Sequence, residues 1–305
     1  MVRRISAVDL MLLGTVLLWA LNITVTRYVL THGFRPLAYA TTRYGAATAI
    51  FWLYTWRSER SFRIRLSDRK LVLIGGVAIF LNQLSFVFAV QKTSASTVGL
   101  ILGTIPIFVA LLATLVGYER PGRTFWLAAA VSFAGVGLIA FGSTGGVSGD
   151  LFGNLLGLAT AATWAAYTVV VGPLMRRYSP FRISSLILLV GWVPLALVSI
   201  PELLRQGYGG FGVTMWLAFA YAVVGPLFLT NLLWYSAVAR VGPSRASLFA
   251  NLEPFFAVLF ALVLLGEHLT RWEIAGGVAI AIAIALERVR RPVEASARAE
   301  AVALE

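Results

Sequence analysis

Apolar runs of bilayer-crossing length recur along the whole chain and constrain its fold more than any other feature. A transmembrane helix needs about 20 apolar residues, and charged or Gly/Pro-rich stretches divide this chain into ten runs of that order. The predicted spans are 9–30, 36–56, 70–90, 94–117, 124–142, 151–172, 181–201, 213–236, 245–266 and 272–288. With 59% hydrophobic residues and a mean hydropathy of +0.84, we expect no sizeable soluble domain. The predicted fold class is an all-α polytopic membrane protein with ten transmembrane helices.

The distribution of basic residues predicts how the chain crosses the membrane. The formal net charge is +12, but the lysine and arginine residues lie in short loops, so nucleic acid is not an expected partner. Loops on the N-terminal side carry 19 of them and loops on the other side carry four. The positive-inside rule then predicts a multi-pass protein of the plasma membrane, here a bacterial inner membrane, with both termini cytoplasmic and residues 289–305 as a cytoplasmic tail.

Several kinds of chemistry are disfavoured by what the chain contains. It has no cysteine, and its two histidines, His32 and His268, fall in predicted loops. We therefore expect neither a metal site nor another cofactor. An intramembrane protease would need a nucleophile and a base within reach of each other, yet no histidine and no aspartate pair lies inside a span. The phosphate-binding GxxxxGK[ST] motif is missing as well, which disfavours ATP-driven transport. On these grounds together we do not expect an enzyme.

The two halves of the chain are related by an internal repeat. Residues 105–119 align with residues 253–267 at an offset of 148. Five spans per half is an odd number, so the second half enters the membrane from the opposite face, which makes the repeat inverted. Secondary transporters often use this plan and bind their substrate near the midplane. Pro106 matches Pro254 and Glu119 matches Glu267 at the offset of 148, and an offset of 145 matches Thr15 with Thr160, Trp19 with Trp164, and Ala20 with Ala165.

Five stretches of the sequence resemble a known family. They read "LLWALNIT", "TTRYGAAT", "AVQKTSASTVGLILGTIPIFVALLATLVGYERP", "LATAATWAAYTVV" and "VGPSRASLFANLEPFFAVLFALVLLGEHLT". They are similar to the two EamA repeats of the drug/metabolite transporter (DMT) superfamily, here 9–142 and 151–288. The resemblance implies ten helices, inverted repeats and export of small metabolites or drugs without ATP hydrolysis. YddG-like amino acid exporters are one similar branch, although the first repeat lacks the family's Leu-Gly-Glu ending and has Gly117-Tyr118-Glu119 instead.

Polar and aromatic side chains share one face in several spans. Residues at i, i+4 and i+7 of a helix lie on one face, and a polar group that faces lipid in mid-membrane is costly. We therefore expect these faces to line a cavity, where rings give flat contact and amides fix a ligand's orientation. The alternative is that they only join helices and fill the core. The predicted substrate-pathway residues are Trp19, Asn22, Arg43, Asn82, Gln83, Phe86, Trp164, Tyr167, Asn231, Trp234 and Tyr235.

Charged residues and prolines inside the spans allow more than one interpretation. Arg43, roughly 10 Å below the outer surface, is either a counter-charge for a substrate carboxylate or a clamp on a carbonyl or on a carboxylate such as Glu253. Glu253 lies roughly 14 Å into span 9, near the midplane, and with Asn251 is assigned to proton coupling or to a structural role. Pro106 and Pro254 each remove a backbone donor in mid-membrane, so they are predicted to kink spans 4 and 9 and to act as hinges.

The predicted function is secondary transport by alternating access around a midplane cavity. Export of amino acids, aromatic or other neutral ones, or of related amphiphilic compounds is favoured by the aromatic and amide lining. Alternatives are export of purines, sugars, cationic compounds or other metabolites and drugs, a channel or scaffold, or another intramembrane protein without transport activity. The expected partners are a small-molecule substrate and the lipid bilayer, and the oligomeric state stays open, with a monomer as one option.

Overall fold

The computed structural model describes residues 7–116, 123–142, 151–241, 252–283 and 286. These residues form helices joined by short connections. The helices are α1 (Ala7–Thr31), α2 (Pro36–Ser58), α3 (Arg69–Lys92), α4 (Ala95–Leu102), α5 (Ile105–Leu115), α6 (Arg123–Gly142), α7 (Leu151–Met175), α8 (Pro180–Arg205), α9 (Val213–Val223), α10 (Thr230–Val241), α11 (Glu253–Leu265) and α12 (271–283). A short 3₁₀ helix covers Leu66–Asp68, and a π-helical turn covers Val224–Leu229.

Parts of all ten predicted spans are present as helix. Span 4 consists of α4 and α5, span 8 consists of α9, the π-helical turn and α10, and each remaining span has one described helix. Six helical segments in the described ranges are long and apolar enough to cross a membrane, and Trp126–Leu138 and Glu253–Leu265 are shorter apolar helices. The predicted all-α polytopic fold is confirmed.

The two prolines of the repeat occupy the same kind of position. Pro106 is the second residue of α5 and Pro254 is the second residue of α11. A proline costs little there, because the first N–H groups of a helix have no intrahelical partner. Before α5 the chain leaves the helix at Gly103 and Thr104, whose N–H groups donate to carbonyls three residues earlier at 3.0 Å. Span 4 is therefore divided into α4 and α5 by a short turn, whose φ and ψ angles stay in the helical region, at the place where the sequence predicted a kink.

Span 8 is also irregular at its centre. Pro226 lies inside the π-helical turn Val224–Leu229, where it supplies no N–H to the helical ladder. Thr230, at the start of α10, donates its hydroxyl to the Pro226 carbonyl at 2.7 Å. Such π-helical turns occur frequently at functional sites. We did not predict this feature, although Gly225-Pro226 within an apolar run is a recognisable break signal.

Helices from the two halves pack against each other throughout the bundle. Helix α3 contacts α7 and α8, α2 contacts α8, α1 contacts α10 and α11, and α4 contacts α11. The approach of α3 and α8 is so close that a Cβ added to Gly191 would lie 2.7 Å from the Gly76 carbonyl oxygen. Small residues permit this kind of contact between membrane helices. The core is thus shared between the repeats.

Candidate functional site

A cavity lies between the two repeats. Its atom-free volume is about 860 Å³, including the space at its open side. The walls come from α1, α2, α3, the α4–α5 break, α7, α8, the π-helical turn, α10 and the first residue of α11. Both halves of the chain therefore form one site, as in inverted-repeat transporters.

The structure brings most of the predicted site residues together at this cavity. Trp234 packs against Trp19 instead of forming the wall, and neither Pro106 nor Pro254 contributes to the lining. Asn251 and the side chain of Tyr235 lie outside the described part of the chain. The predicted residues in the wall are Trp19, Asn22, Arg43, Asn82, Gln83, Phe86, Trp164, Tyr167, Asn231 and Glu253.

Four aromatic rings form a continuous cluster along one side of the cavity. Trp19 meets Trp164 edge to face with ring centroids 6.0 Å apart. Trp234 packs on Trp19 at 5.2 Å, and Tyr167 packs on Trp164 at 5.3 Å. Trp19 Nε1 donates to Thr230 Oγ1 at 3.1 Å, which fixes this indole. The cluster offers a large apolar surface with defined geometry.

Arg43 is the centre of a hydrogen-bond network that joins four helices. Its guanidinium donates to Asn22 Oδ1 at 2.9 Å and to Gln83 Oε1 at 2.8 Å. Gln83 Nε2 donates to Asn82 Oδ1 at 2.9 Å, and Asn82 Nδ2 donates to the Thr160 carbonyl at 3.0 Å. The network therefore runs from α2 through α1 and α3 to α7. Arg43 is held by side-chain amide oxygens, and its orientation is fixed by both repeats.

The charge of Arg43 is surrounded by aromatic rings. Its guanidinium carbon lies 4.8 Å from the Tyr39 ring centroid, 5.5 Å from that of Tyr44 and 5.8 Å from that of Phe86. These distances allow cation–π attraction. Arg43 is only 1% exposed, and its Nε has no hydrogen-bond partner in the described structure. Among the described residues no carboxylate pairs with Arg43, so its partners stabilise the cation without neutralising it.

Glu253 contributes an ionisable carboxyl group to the same cavity. It is the first residue of α11 and is half-buried in the cavity wall. The N-terminal end of a helix carries partial positive charge and favours a carboxylate. Within the described ranges, Glu253 forms no salt bridge, so Arg43 and Glu253 line one cavity without pairing with each other.

Several lining residues were missed at the sequence level, three polar or irregular positions among them. Tyr44, Pro226 and Thr230 all reach the cavity. Thr230 is one helical turn before Trp234 and so shares its face, which is a signal that sequence alone contained. Tyr44 follows Arg43 directly, and nothing in its spacing distinguishes it from a core tyrosine.

The fold and the cavity define a polytopic α-helical membrane transporter built from two repeats. The sequence model of the EamA-like transporter family matches residues 6–141 and 151–287. The chain therefore belongs to this family, within the DMT superfamily. The family consists of transporters, which confirms the prediction that the chain is not an enzyme.

Similar proteins extend over nearly the whole chain. The uncharacterised transporter YyaM of Bacillus subtilis (strain 168) is 23% identical over 283 residues, which are 90% of this chain and 91% of YyaM. A probable amino-acid metabolite efflux pump of Salmonella typhimurium (strain LT2) is 27% identical over 297 residues, or 92% of this chain and 96% of that protein. A crystal structure aligns with a TM-score of 0.64 at 18% identity, covering 93% of this chain and 96% of its own, which supports the fold alone.

Proposed function

We propose that the protein is a YddG-like secondary exporter whose substrates are neutral amino acids, aromatic ones included, or related amphiphilic compounds. The observation that carries this proposal is that a guanidinium, Arg43, and an ionisable carboxyl group, Glu253, line one cavity without a mutual salt bridge in the described structure. A zwitterion satisfies both charges at once.

Each part of an α-amino acid has a suitable partner in the cavity. The fixed guanidinium of Arg43 is suited to a carboxylate, because charge-assisted hydrogen bonds to a planar fork are strong and directional. Glu253 is suited to the ammonium group. The rings of Trp19 and Trp164 give an apolar side chain a flat contact surface. The relative described as a probable amino-acid metabolite efflux pump supports the same substrate class.

The other substrate classes fit the charges less well. A sugar would leave both Arg43 and Glu253 without an ionic partner, and burying an unpaired charge is costly. A cationic compound would pair with Glu253 but would meet the positive charge of Arg43. A purine could stack on the indoles yet would not neutralise either group.

The transport cycle that we propose is alternating access. The two repeats, 9–142 and 151–288, would rock around the cavity with both termini in the cytoplasm, and the helix breaks at Pro106 and Pro254 would act as hinges. Glu253 would carry the coupling proton, being neutral in one state and ionised in the other. The alternative for Glu253, with Asn251, is a structural role at the start of α11.

Counterflow in proteoliposomes tests this proposal. Vesicles preloaded with phenylalanine or leucine should accelerate uptake of the labelled amino acid, and the corresponding amino acid amides, a purine, a sugar and a quaternary ammonium compound should compete weakly. Loading that fails to accelerate uptake, with uptake itself present, would indicate a channel. No uptake of any amino acid, with uptake of another class on the panel, would overturn the substrate assignment.

A further inference from the structure

A second recess, apart from the central cavity, lies between the α2–α3 connection and the α7–α8 connection. We call it the basic recess. Its lining consists of Arg63, Ile64, Arg65, Arg177 and Tyr178. None of these residues lines the central cavity, so the recess is a separate site.

The acidic residues near the basic recess are used in internal contacts. Residues 57–70 contain six lysine and arginine residues but only two carboxylates, Glu59 and Asp68. Glu59 pairs with Arg182 at 2.9 Å. Asp68 pairs with Arg177 at 2.6 Å and accepts a hydrogen bond from the Tyr178 hydroxyl at 2.7 Å. Both carboxylates are thus committed, and the surrounding surface keeps a positive excess.

The arginines of the recess project from an anchored backbone. The Arg65 N–H donates to Tyr178 Oη at 2.9 Å, and Arg182 donates to the Arg63 carbonyl at 3.3 Å. The side chains of Arg63 and Arg65 themselves are exposed and form no salt bridge within the described part of the chain. Two free guanidinium groups on a fixed segment form a preorganised site for an anion.

Exposed aromatic rings place this site beside lipid. Trp52 stacks on Trp56 with centroids 6.3 Å apart and on Phe62 with centroids 5.4 Å apart. Trp52 is 45% exposed and Trp56 is 54% exposed. Tryptophan is enriched where the bilayer meets water, and Phe62 directly precedes Arg63. By this rule the guanidinium groups would lie at the level of the lipid headgroups.

We propose that the basic recess binds the phosphate of an anionic phospholipid through Arg63 and Arg65, with the Trp52–Trp56–Phe62 stack against the lipid's glycerol and acyl region. Juxtamembrane basic clusters attract anionic lipids in this way. A free phosphate ion offers the same charge to the arginines, but it makes no use of the aromatic stack. The proposal does not depend on the transported substrate.

Lipid binding to the purified full-length protein tests this assignment. The protein would be titrated with phosphatidylglycerol or phosphatidylcholine in detergent, where both ends of the helices are accessible. Native mass spectrometry would then count the bound lipid molecules. The wild type should prefer phosphatidylglycerol. Arg63→Gln with Arg65→Gln should lower the apparent affinity for it about 25-fold, because each basic residue contributes about a factor of five. Arg63→Lys with Arg65→Lys, which keeps the charge, should retain most of the preference.

A matched control removes the same charge elsewhere. Arg205 is the last residue of α8, whose first residue is near the recess, and Arg271 is the first residue of α12. Arg205→Gln with Arg271→Gln therefore removes the same charge away from the recess. This variant should bind phosphatidylglycerol like the wild type. An equal loss in both glutamine variants, or no lipid preference in the wild type, would overturn the site. Inorganic phosphate that displaces phosphatidylglycerol as effectively as the lipid itself would overturn the lipid assignment in favour of a soluble anion.

Discussion

Trp19 and Trp164 hold matched positions in the two repeats and meet edge to face in the cavity wall, with ring centroids 6.0 Å apart. The two indoles differ in their surroundings. Trp19 Nε1 donates to Thr230, whereas Trp164 has no hydrogen bond from its indole to any residue that the structure describes. Trp19 is therefore the fixed ring of the pair, whereas the Trp164 N–H has no hydrogen-bond partner among the described residues.

The first prediction concerns this pair. Trp164→Ala should lower the counterflow rate about tenfold, because an aromatic contact and its buried area are lost. Trp19→Ala should lower it as well and should also lower the melting temperature, since it removes an interhelical hydrogen bond. Initial rates of counterflow, normalised to protein reconstituted, give the measurement.

A tryptophan away from the cavity serves as the control for the first prediction. Trp216→Ala truncates a 44% exposed ring of α9 that does not line the cavity, so its rate should match the wild type. Native rates for both Trp19→Ala and Trp164→Ala would mean that the cavity is not the substrate site.

The second prediction concerns the guanidinium of Arg43. Arg43→Lys keeps the charge, but an ammonium group cannot donate in the same fork to Asn22 and Gln83, so KM for an amino acid should rise on the order of tenfold. Arg43→Gln should remove the discrimination between an amino acid and its amide, because no cation remains to select the carboxylate. If Arg43→Gln still prefers the amino acid over the amide to the native extent, Arg43 is a structural clamp alone.

Sequence patterns located the site better than they described its contacts. The indoles at positions 19 and 164 were predictable because a repeated helical face identifies them without any tertiary information. The partners of Arg43 were not predictable. Whether Asn22 and Gln83 reach Arg43 depends on which spans lie next to each other, and that depends on how the whole bundle packs. Local backbone geometry was hard to predict for a similar reason. A proline marks a break, but the sequence does not show that the turn before Pro106 falls at Gly103 and Thr104.

The third prediction concerns proton coupling through Glu253. Glu253→Gln is isosteric and cannot ionise, so a pH gradient should no longer drive uphill transport. Counterflow at equal pH should persist, because exchange of substrate needs no net proton movement, but with a raised KM, because the substrate ammonium group loses its charged partner. Parallel assays with and without a pH gradient separate the two effects. Unchanged gradient dependence in Glu253→Gln would leave Glu253 with a structural role only.

The fourth prediction concerns Glu267, which ties the end of span 9 to the start of α4. Its carboxylate accepts hydrogen bonds from the N–H groups of Ala95 and Ser96 at 2.9 Å each and from Ser96 Oγ at 2.7 Å. Glu267→Ala should destabilise the fold by about 2 kcal/mol, because it leaves helix N-terminal donors unpaired and removes a favourable charge. Ser96→Ala, which removes one of the three bonds, should cost about half as much. Thermal unfolding in detergent measures both, and equal melting temperatures for wild type and Glu267→Ala would contradict the assignment.

The last prediction concerns the close contact of α3 with α8, which brings the two repeats together beside the cavity. A Cβ at position 191 would lie 2.7 Å from the Gly76 carbonyl oxygen and 3.2 Å from a methyl carbon of Ile79. Backbone cannot move aside as a side chain can, so Gly191→Ala should push the helices apart and destabilise the protein by about 2 kcal/mol, or about 5 °C in melting temperature. Gly137→Ala in α6 is the matched control, because a Cβ there meets no atom of the described structure within 4 Å. Its melting temperature should equal or exceed the wild-type value, since alanine favours the helix over glycine. Equal melting temperatures for the two variants would contradict the prediction, because they would show that the α3–α8 contact accommodates a Cβ at position 191.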